Sequence, residues 1–130
     1  FGGNLIACAS GIATLEYMKK HKVGENAIKQ GKYIKKRLIE MQEKYELIGD
    51  VRGIGLMIGI ELVKNKRTKE YAIKERDKVL NKCFNKGLIL LAAGTSVIRI
   101  CPPLIINKNQ VDKALEILEN SIKEVQNVTH

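Results

Sequence analysis

One arginine lies inside an otherwise apolar strand signal, at the centre of the stretch Ser96-Val-Ile-Arg-Ile-Cys-Pro-Pro-Leu104. Because alternate residues of a strand face opposite ways, Ile98 and Ile100 share one face while Arg99 points to the other. A guanidinium keeps its charge, so it needs a carboxylate, either elsewhere in the protein or on a ligand. The alternative is an edge-strand arginine whose head reaches water.

No other residues have types and spacing suited to catalysis. His21 stands at the end of a predicted helix and His130 at the end of the sequence, which does not favour either as a catalytic base. The sequence has no Ser-His-Asp or Cys-His grouping, carboxylate pair or metal-ligand spacing. Cys8, Cys83 and Cys101 are too few and too scattered for a disulfide framework or a zinc site, which favours a reducing cytoplasm.

Composition limits the classes of partner. The net charge of +9 comes from 23 lysines and arginines against 14 acidic residues, and the lysines are spread through every predicted helix. A nucleic-acid site usually gathers its positive charge on one face, together with aromatics that stack on bases. No basic cluster here is interleaved with aromatics, and no apolar run approaches the roughly 18 to 20 residues that a membrane helix needs. We therefore expect neither a nucleic-acid nor a membrane partner.

The glycines near the middle of the sequence lie in a predicted strand. From Ile48 to Leu62 bulky aliphatic residues alternate with a nearly bare face, so we expect a single strand with room for another layer of backbone. Gly53-Ile-Gly-Leu-Met-Ile-Gly59 is not a dinucleotide fingerprint, because the spacing is G-x-G-x-x-x-G and no glycine opens a helix. Arg52, just ahead, is interpreted as a structural arginine.

Four helices are predicted around this strand. Asn4 caps the first, which ends at the basic stretch before a break at Val23-Gly24, and its small residues indicate burial on nearly every side. The second has one apolar stripe and is expected to be half exposed. The stripes of the second, third and fourth helices run over residues 27–45, 72–84 and 111–125, and Asn107 or Asn109 caps the last.

A hairpin precedes the last helix. Leu88-Ile-Leu-Leu91 is predicted as a short strand that Ala92-Ala-Gly-Thr95 turns into Val97 to Cys101. No run repeats as β-α-β, so the order of elements predicts an α+β fold with a small, mainly antiparallel sheet and helices on one face.

Four pieces together resemble the C-terminal portion of class III pyridoxal-phosphate-dependent aminotransferases, the group that contains ornithine, acetylornithine and 4-aminobutyrate aminotransferases. Phe1-Gly2-Gly3-Asn4 resembles the end of that family's Thr-Phe-Gly-Gly-Asn-Pro loop, with Leu5 in place of proline. Val51-Arg-Gly-Ile-Gly-Leu-Met57 is similar to its Val-Arg-Gly-x-Gly-Leu-Met strand. Gly87-Leu-Ile-Leu-Leu91 followed by Ile98-Arg-Ile-Cys-Pro-Pro-Leu104 is similar to its hairpin.

The resemblance implies a fold-type I enzyme in which residues 1–22 form a helix of the large-domain tail and residues 23–130 form the C-terminal small domain. The sequence opens in mid-loop without a methionine, which fits a piece of a longer polypeptide. The family's cofactor-binding lysine, the aspartate at the pyridine nitrogen and the ring-stacking aromatic would lie upstream of Phe1. The loop threonine, which in such homodimers bonds the cofactor phosphate of the other subunit, would directly precede Phe1.

Three residues receive roles through the resemblance. Arg99 would bind a substrate carboxylate, or rest in an ion pair with a large-domain glutamate. Gly2 and Gly3 would lie near the phosphate of pyridoxal 5'-phosphate, although capping and close packing explain glycines there as well. None of the catalytic residues would lie within this sequence, and no metal is implied.

The implied activity is transfer of an amino group from an ω-amino acid to 2-oxoglutarate, with 4-aminobutyrate, acetylornithine or ornithine as donor. Ala92-Ala-Gly94 is the best candidate for shaping the cleft. A racemase or aminomutase on the same scaffold is an alternative. A second alternative, of a different class, is a non-enzymatic module that binds an acidic partner through its basic surface.

Overall fold

The computed structural model describes residues 1–128, which form four helices and one antiparallel sheet of four strands in the order β1-β2-β4-β3. His130 and Thr129 lie outside the described residues. The fold confirms the predicted α+β class. The elements in chain order are α1 Leu5–Lys20, α2 Val23–Lys44, β1 Ile48–Ile54, β2 Met57–Leu62, α3 Ile73–Asn85, β3 Leu91–Ala93, β4 Val97–Ile100 and α4 Lys108–Val128.

The core lies on one face of the sheet, as predicted. Ile58 and Ile60 of β2 pair with Ile100 and Ile98 of β4, so the four side chains point the same way and are almost fully buried. They belong to one apolar cluster with residues of α2, α3 and α4, including Leu118 at 1% exposure. Full burial of such a side chain contributes about 1.5–3 kcal/mol. The opposite face of the sheet has no helix packed on it within the described chain.

The predicted single strand over 48–62 is wrong, because this segment folds back as a hairpin. Ile54 pairs with Met57, so Gly55 and Leu56 form a two-residue loop between β1 and β2. Gly55 has φ +53°, the left-handed conformation that the first position of a type II′ turn requires of glycine. Continuous alternation of large and small residues hid the reversal, since each half of the hairpin has the same period.

The second hairpin is also shifted from its predicted position. β3 comprises only Leu91–Ala93, and the turn is Gly94 to Ser96. Residues 88–90 are not part of a strand, because the pairing of β3 with β4 ends at Leu91 opposite Arg99. Ala92 and Ala93 therefore lie in β3 rather than in the turn.

Helix α1 is fully exposed within this chain, contrary to the predicted burial. Asn4 caps it as expected, with Oδ1 accepting from the N–H groups of Ile6 and Ala7 at 3.0 and 3.1 Å. Leu5 and Ile6 are 84% and 79% exposed, because nothing in the described chain covers them. The break after α1 falls at Lys22, which has φ +50°, so α2 already begins at Val23. Of the helices described, none is both long enough and apolar enough to cross a membrane.

Asn107 is the residue that caps α4. Its Oδ1 accepts from the N–H of Gln110 at 3.0 Å, while Gln110 Oε1 accepts from the N–H of Asn107 at 3.1 Å. This reciprocal pair is a capping box. It fixes the start of α4, which packs against α2 and α3.

Helix α2 packs directly on the loop of the first hairpin. A Cβ atom at Gly31 would lie 2.1 Å from the carbonyl oxygen of Gly55. Neither atom could rotate away, because the oxygen belongs to the backbone and the Cβ atom is bonded directly to it. Only glycine at position 31 permits this contact. Packing of α2 against the turn therefore sets how closely the helix approaches β1 and β2.

We predict that Gly31→Ala lowers the free energy of unfolding by about 1–3 kcal/mol, the usual cost of overpacking. The backbone at Gly55 cannot move away from the added methyl group without displacing the hairpin. Gly24→Ala in the same helix is the matched control. A Cβ atom at position 24 would meet no other atom within 4 Å, so alanine there is expected to be neutral or stabilising by up to about 1 kcal/mol. Urea unfolding of the two variants measures the difference, and equal stability would contradict close contact at Gly31.

Candidate functional site

Arg99 lies on the open face of the sheet, in a row that crosses all four strands. Arg52 of β1 pairs with Gly59 of β2, Gly59 pairs with Arg99 of β4, and Arg99 pairs with Leu91 of β3. Paired residues of antiparallel strands point to the same face. On this face only Gly59 lies between the two arginines, and because glycine has no side chain, no side chain stands between them.

The charge of Arg52 is balanced by carboxylates of the same face. Arg52 Nη1 donates to Asp50 Oδ2 at 2.7 Å and to Glu61 Oε2 at 2.8 Å. These bonds, first with Asp50 and then with Glu61, raise the pKa of the Arg52 guanidinium. The interpretation of Arg52 as a structural arginine agrees with this geometry, since it ties β1 to β2.

Arg99 has no such partner. Within residues 1–128 its guanidinium makes no hydrogen bond and no ion pair, and the side chain is exposed. Glu61, the nearest carboxylate by register, is two residues along β2 from Gly59, opposite Val97, and is bonded to Arg52. Of the two guanidinium groups in this row, that of Arg99 is thus available to an external carboxylate. A planar guanidinium binds a carboxylate through two parallel hydrogen bonds.

An apolar cavity of about 370 Å³ lies beside Arg99. It lies between residues 88–91 and 99–103 and is closed on the helix-covered side of the sheet by core residues of α2 and α4; we call this cavity the slot. Among the described residues that line the slot, Arg99 is the only charged one and the others are apolar. The volume falls within the range of small-molecule pockets, about 300–1,000 Å³.

The turn Phe1-Gly2-Gly3-Asn4 stands apart from this site. The N–H of Asn4 donates to the carbonyl of Phe1 at 3.2 Å, and Gly3 has φ +76°, as the third position of a type II turn requires. A side chain at Gly2 or Gly3 would meet nothing within 4 Å, so close packing within the described chain does not explain these glycines. The hydrogen bonds of the turn stay within residues 1–8, so none joins it to the strand of Arg99.

The residues of this turn fit one edge of a phosphate site. In the described chain the N–H groups of Gly2 and Gly3 donate to no acceptor, and the space around them is open. Backbone N–H groups ahead of a helix suit an anion. The turn carries no lysine or arginine, so further donors would have to come from outside it.

Sequence patterns do not reveal the slot, and they favour Ala92-Ala-Gly94 as the residues that shape the cleft. The structure places Ala93 and Gly94 at the turn end of the hairpin, whereas the slot opens at its other end. One signal for the slot is present in the sequence: Pro102-Pro103 forbids further pairing of β4, so the neighbouring segment must diverge from it.

We predict different effects on stability at the two arginines of the row. Arg52→Gln should lower the free energy of unfolding by about 0.2–1 kcal/mol per exposed ion pair lost, whereas Arg99→Gln should leave it unchanged, because Arg99 has no partner to lose. Thermal unfolding of the two matched variants measures this. A clear loss of stability in Arg99→Gln alone would show that Arg99 is held by a contact within the protein.

Comparison with known families gives a match over nearly the whole chain. The family model described as aminotransferase class-III matches residues 1–122. The chain is 44% identical over 124 residues to the leucine/methionine racemase of Thermococcus litoralis, and covers 28% of that protein. It is 42% identical over 124 residues to the acetylornithine aminotransferase of Clostridium acetobutylicum, and covers 30% of it. In both cases 95% of this chain is matched.

A solved structure agrees with these matches. The adenosylmethionine-8-amino-7-oxononanoate aminotransferase of Methanocaldococcus jannaschii superposes with a TM-score of 0.83 at 40% identity, over 94% of this chain and 28% of that one. The chain thus spans less than a third of the length of the proteins it resembles. These matches show the fold and the family of the chain. They do not show the activity of a whole protein, since the chain matches only part of each relative.

Proposed function

The chain belongs to the class III aminotransferase family, and from this premise we propose that it is the C-terminal part of a pyridoxal-phosphate-dependent enzyme acting on amino acids and 2-oxo acids. In this proposal residues 1–22 belong to the large domain and residues 23–130 form the small domain of a cytoplasmic homodimer. The exposure of Leu5 and Ile6 on α1 supports a covering partner element there.

The observation that carries the proposal is the unpaired guanidinium of Arg99 on the open face of the sheet. Its role is to bind the substrate carboxylate and so to orient the amino group. Charge-assisted hydrogen bonds of this kind contribute about 1.5–3 kcal/mol each. The same guanidinium can rest on a carboxylate of the large domain when a substrate without a carboxylate at that position occupies the site.

The cofactor, when bound, supplies an electron sink that stabilises negative charge at the substrate carbon bearing the amino group. Gly2 and Gly3 would contribute backbone N–H donors to its phosphate. The lysine that binds the cofactor and moves the proton is expected upstream of Phe1. The residues of this chain therefore bind and position, and do not transfer the proton.

Two substrate classes are compatible with this role. One is the ω-amino acids, such as 4-aminobutyrate, acetylornithine and ornithine, with 2-oxoglutarate as acceptor; the likeness to an acetylornithine aminotransferase supports it. The other is racemisation of a neutral amino acid, which the likeness to racemases for leucine and methionine and for alanine and serine supports. In both cases Arg99 would hold a carboxylate.

We predict that Arg99→Lys in the intact enzyme lowers kcat/KM for glutamate, or for the amino acid that is turned over best, by about fivefold or more. Lysine retains the charge but loses the two-pronged geometry, which should cost more than about 1 kcal/mol. Steady-state kinetics of the purified protein measures the change. A value within about threefold of the parent enzyme would contradict the carboxylate role.

A non-enzymatic binding module is distinguished by a separate observation on the same protein. The proposed enzyme is yellow because of its cofactor, and its visible absorption changes when an amino donor is added. A colourless protein that binds to an acidic matrix in a salt-dependent way would instead support the binding-module alternative.

A further inference from the structure

We infer that an extended segment of the same polypeptide, from the part that precedes Phe1, pairs with the free edge of β3 and fills the slot with apolar side chains. This inference rests on the proposed function, in which the chain is the C-terminal part of a longer enzyme. It goes beyond that function because it names a contact between two parts of the polypeptide. The difference between the two edges of the sheet, the apolar rim of the slot and the small size of this surface carry it.

The β1 edge of the sheet is closed by side chains. Gln42 Nε2 and Lys69 Nζ each donate to the carbonyl of Gly49 at 3.1 Å. Lys35 Nζ donates to the carbonyl of Gly53 at 3.5 Å. Helix α2 also lies against this strand. Because its outward carbonyls are occupied in this way, β1 is protected from pairing with a further strand.

The β3 edge, at the other side of the sheet, is open. The N–H of Leu62 donates to the carbonyl of Ser96 at 2.9 Å, so every second residue of β4 from position 96 bonds to β2 and the residues between them bond to β3. Arg99 therefore bonds to Leu91, which leaves the N–H and the carbonyl of Ala92 facing away from the sheet. Ala92 is exposed, and in the described chain no group bonds to its outward N–H or carbonyl. An edge of this kind can accept an added strand.

The slot lies beside this edge and has an apolar rim. Ile89 and Leu91 line the slot although they are 74% and 53% exposed. Leu104 and Ile105, which follow directly after the lining residues of β4 and its Pro-Pro end, are exposed as well. Exposed apolar residues grouped in this way mark an interaction surface. A charged group placed in the slot would lose its hydration without a partner, so the segment that fills it is expected to present apolar side chains.

The size of this surface favours an attached segment over a separate partner. Apart from the helix residues behind the slot, the surface consists of residues 88–93 and 99–106, which is fewer than the roughly 20–30 residues that each side of a stable complex contributes. The strand β3 has three residues and is about 10 Å long. A second copy of the chain would therefore find too little surface here to bind stably. A segment of the same polypeptide needs no such area, because its attachment gives it a high effective concentration.

The test places a photo-crosslinker at the rim of the slot in the intact enzyme. Ile89→p-benzoylphenylalanine reports what lies against the slot. Lys113→p-benzoylphenylalanine is the control, because Lys113 is exposed and is not among the lining residues. After irradiation, we expect the Ile89 variant to keep the mass of one subunit on a denaturing gel. Mass spectrometry should then identify a crosslink to a peptide that precedes Phe1, in at least tenfold higher yield than in the Lys113 variant.

Hydrogen exchange of the unsubstituted enzyme gives a second readout. If a strand pairs with β3, the amide of Ala92 should exchange at least about 100-fold more slowly than that of Gly94, which lies in the hairpin turn and has no backbone acceptor in the described chain. Equal, rapid exchange at the two amides would show that nothing pairs with this edge, and would overturn the inference.

The other outcomes separate this inference from the proposed function. A crosslinked product with the mass of two subunits would show that a second copy occupies the slot, and a crosslink within residues 1–130 or none at all would show that no upstream segment does. Each of these results overturns the inference, and none of them depends on turnover. A yellow, active enzyme with such a result leaves the proposed function standing, whereas a colourless, inactive protein with the expected crosslink contradicts the proposed function alone.

Discussion

The alternation of side chains along β4 determines what this part of the protein can bind. Ile98 and Ile100 are buried under the helices, and because the period of a strand is two, the residue between them must face the other way. A shift of one residue would bury a guanidinium in the core, at a cost far greater than any gain from the register change. The core packing thereby fixes Arg99 on the open face, and the position of the charged group follows from apolar contacts on the opposite side.

The same face contains two arginines in different electrostatic states. Arg52 shares Asp50 and Glu61, so its charge is offset and it serves to hold β1 against β2. Arg99 is two strands away, across Gly59, and in the described chain no carboxylate approaches it. Pairing one arginine and leaving the other free separates the structural role of Arg52 from the binding role that we propose for Arg99.

Much of this arrangement could be predicted from the sequence, and the failures have physical causes. The helices and the orientation of Arg99 follow from periodicity, because burial on one side imposes a clear pattern. The β1–β2 hairpin escapes prediction, since a two-residue loop at Gly55 interrupts neither the alternation nor the run of apolar residues. The small and apolar residues of α1 predict burial, yet the helix is exposed in the described chain. Composition indicates that a surface is suited to burial but does not identify the element that buries it. The slot depends on where two strands part, which is a long-range property that local patterns do not encode.

The most direct test of the central claim compares two ligands that differ only in charge. Binding of 4-methylpentanoate and of its uncharged amide to the intact protein and to its Arg99→Gln variant can be measured by isothermal titration, which does not depend on the reaction catalysed. If Arg99 binds the substrate carboxylate, the parent protein prefers the carboxylate by at least about tenfold and the variant loses that preference, since about 1.4 kcal/mol corresponds to a factor of ten. The same preference for the carboxylate in both proteins would show that another group binds it, and would contradict the role of Arg99.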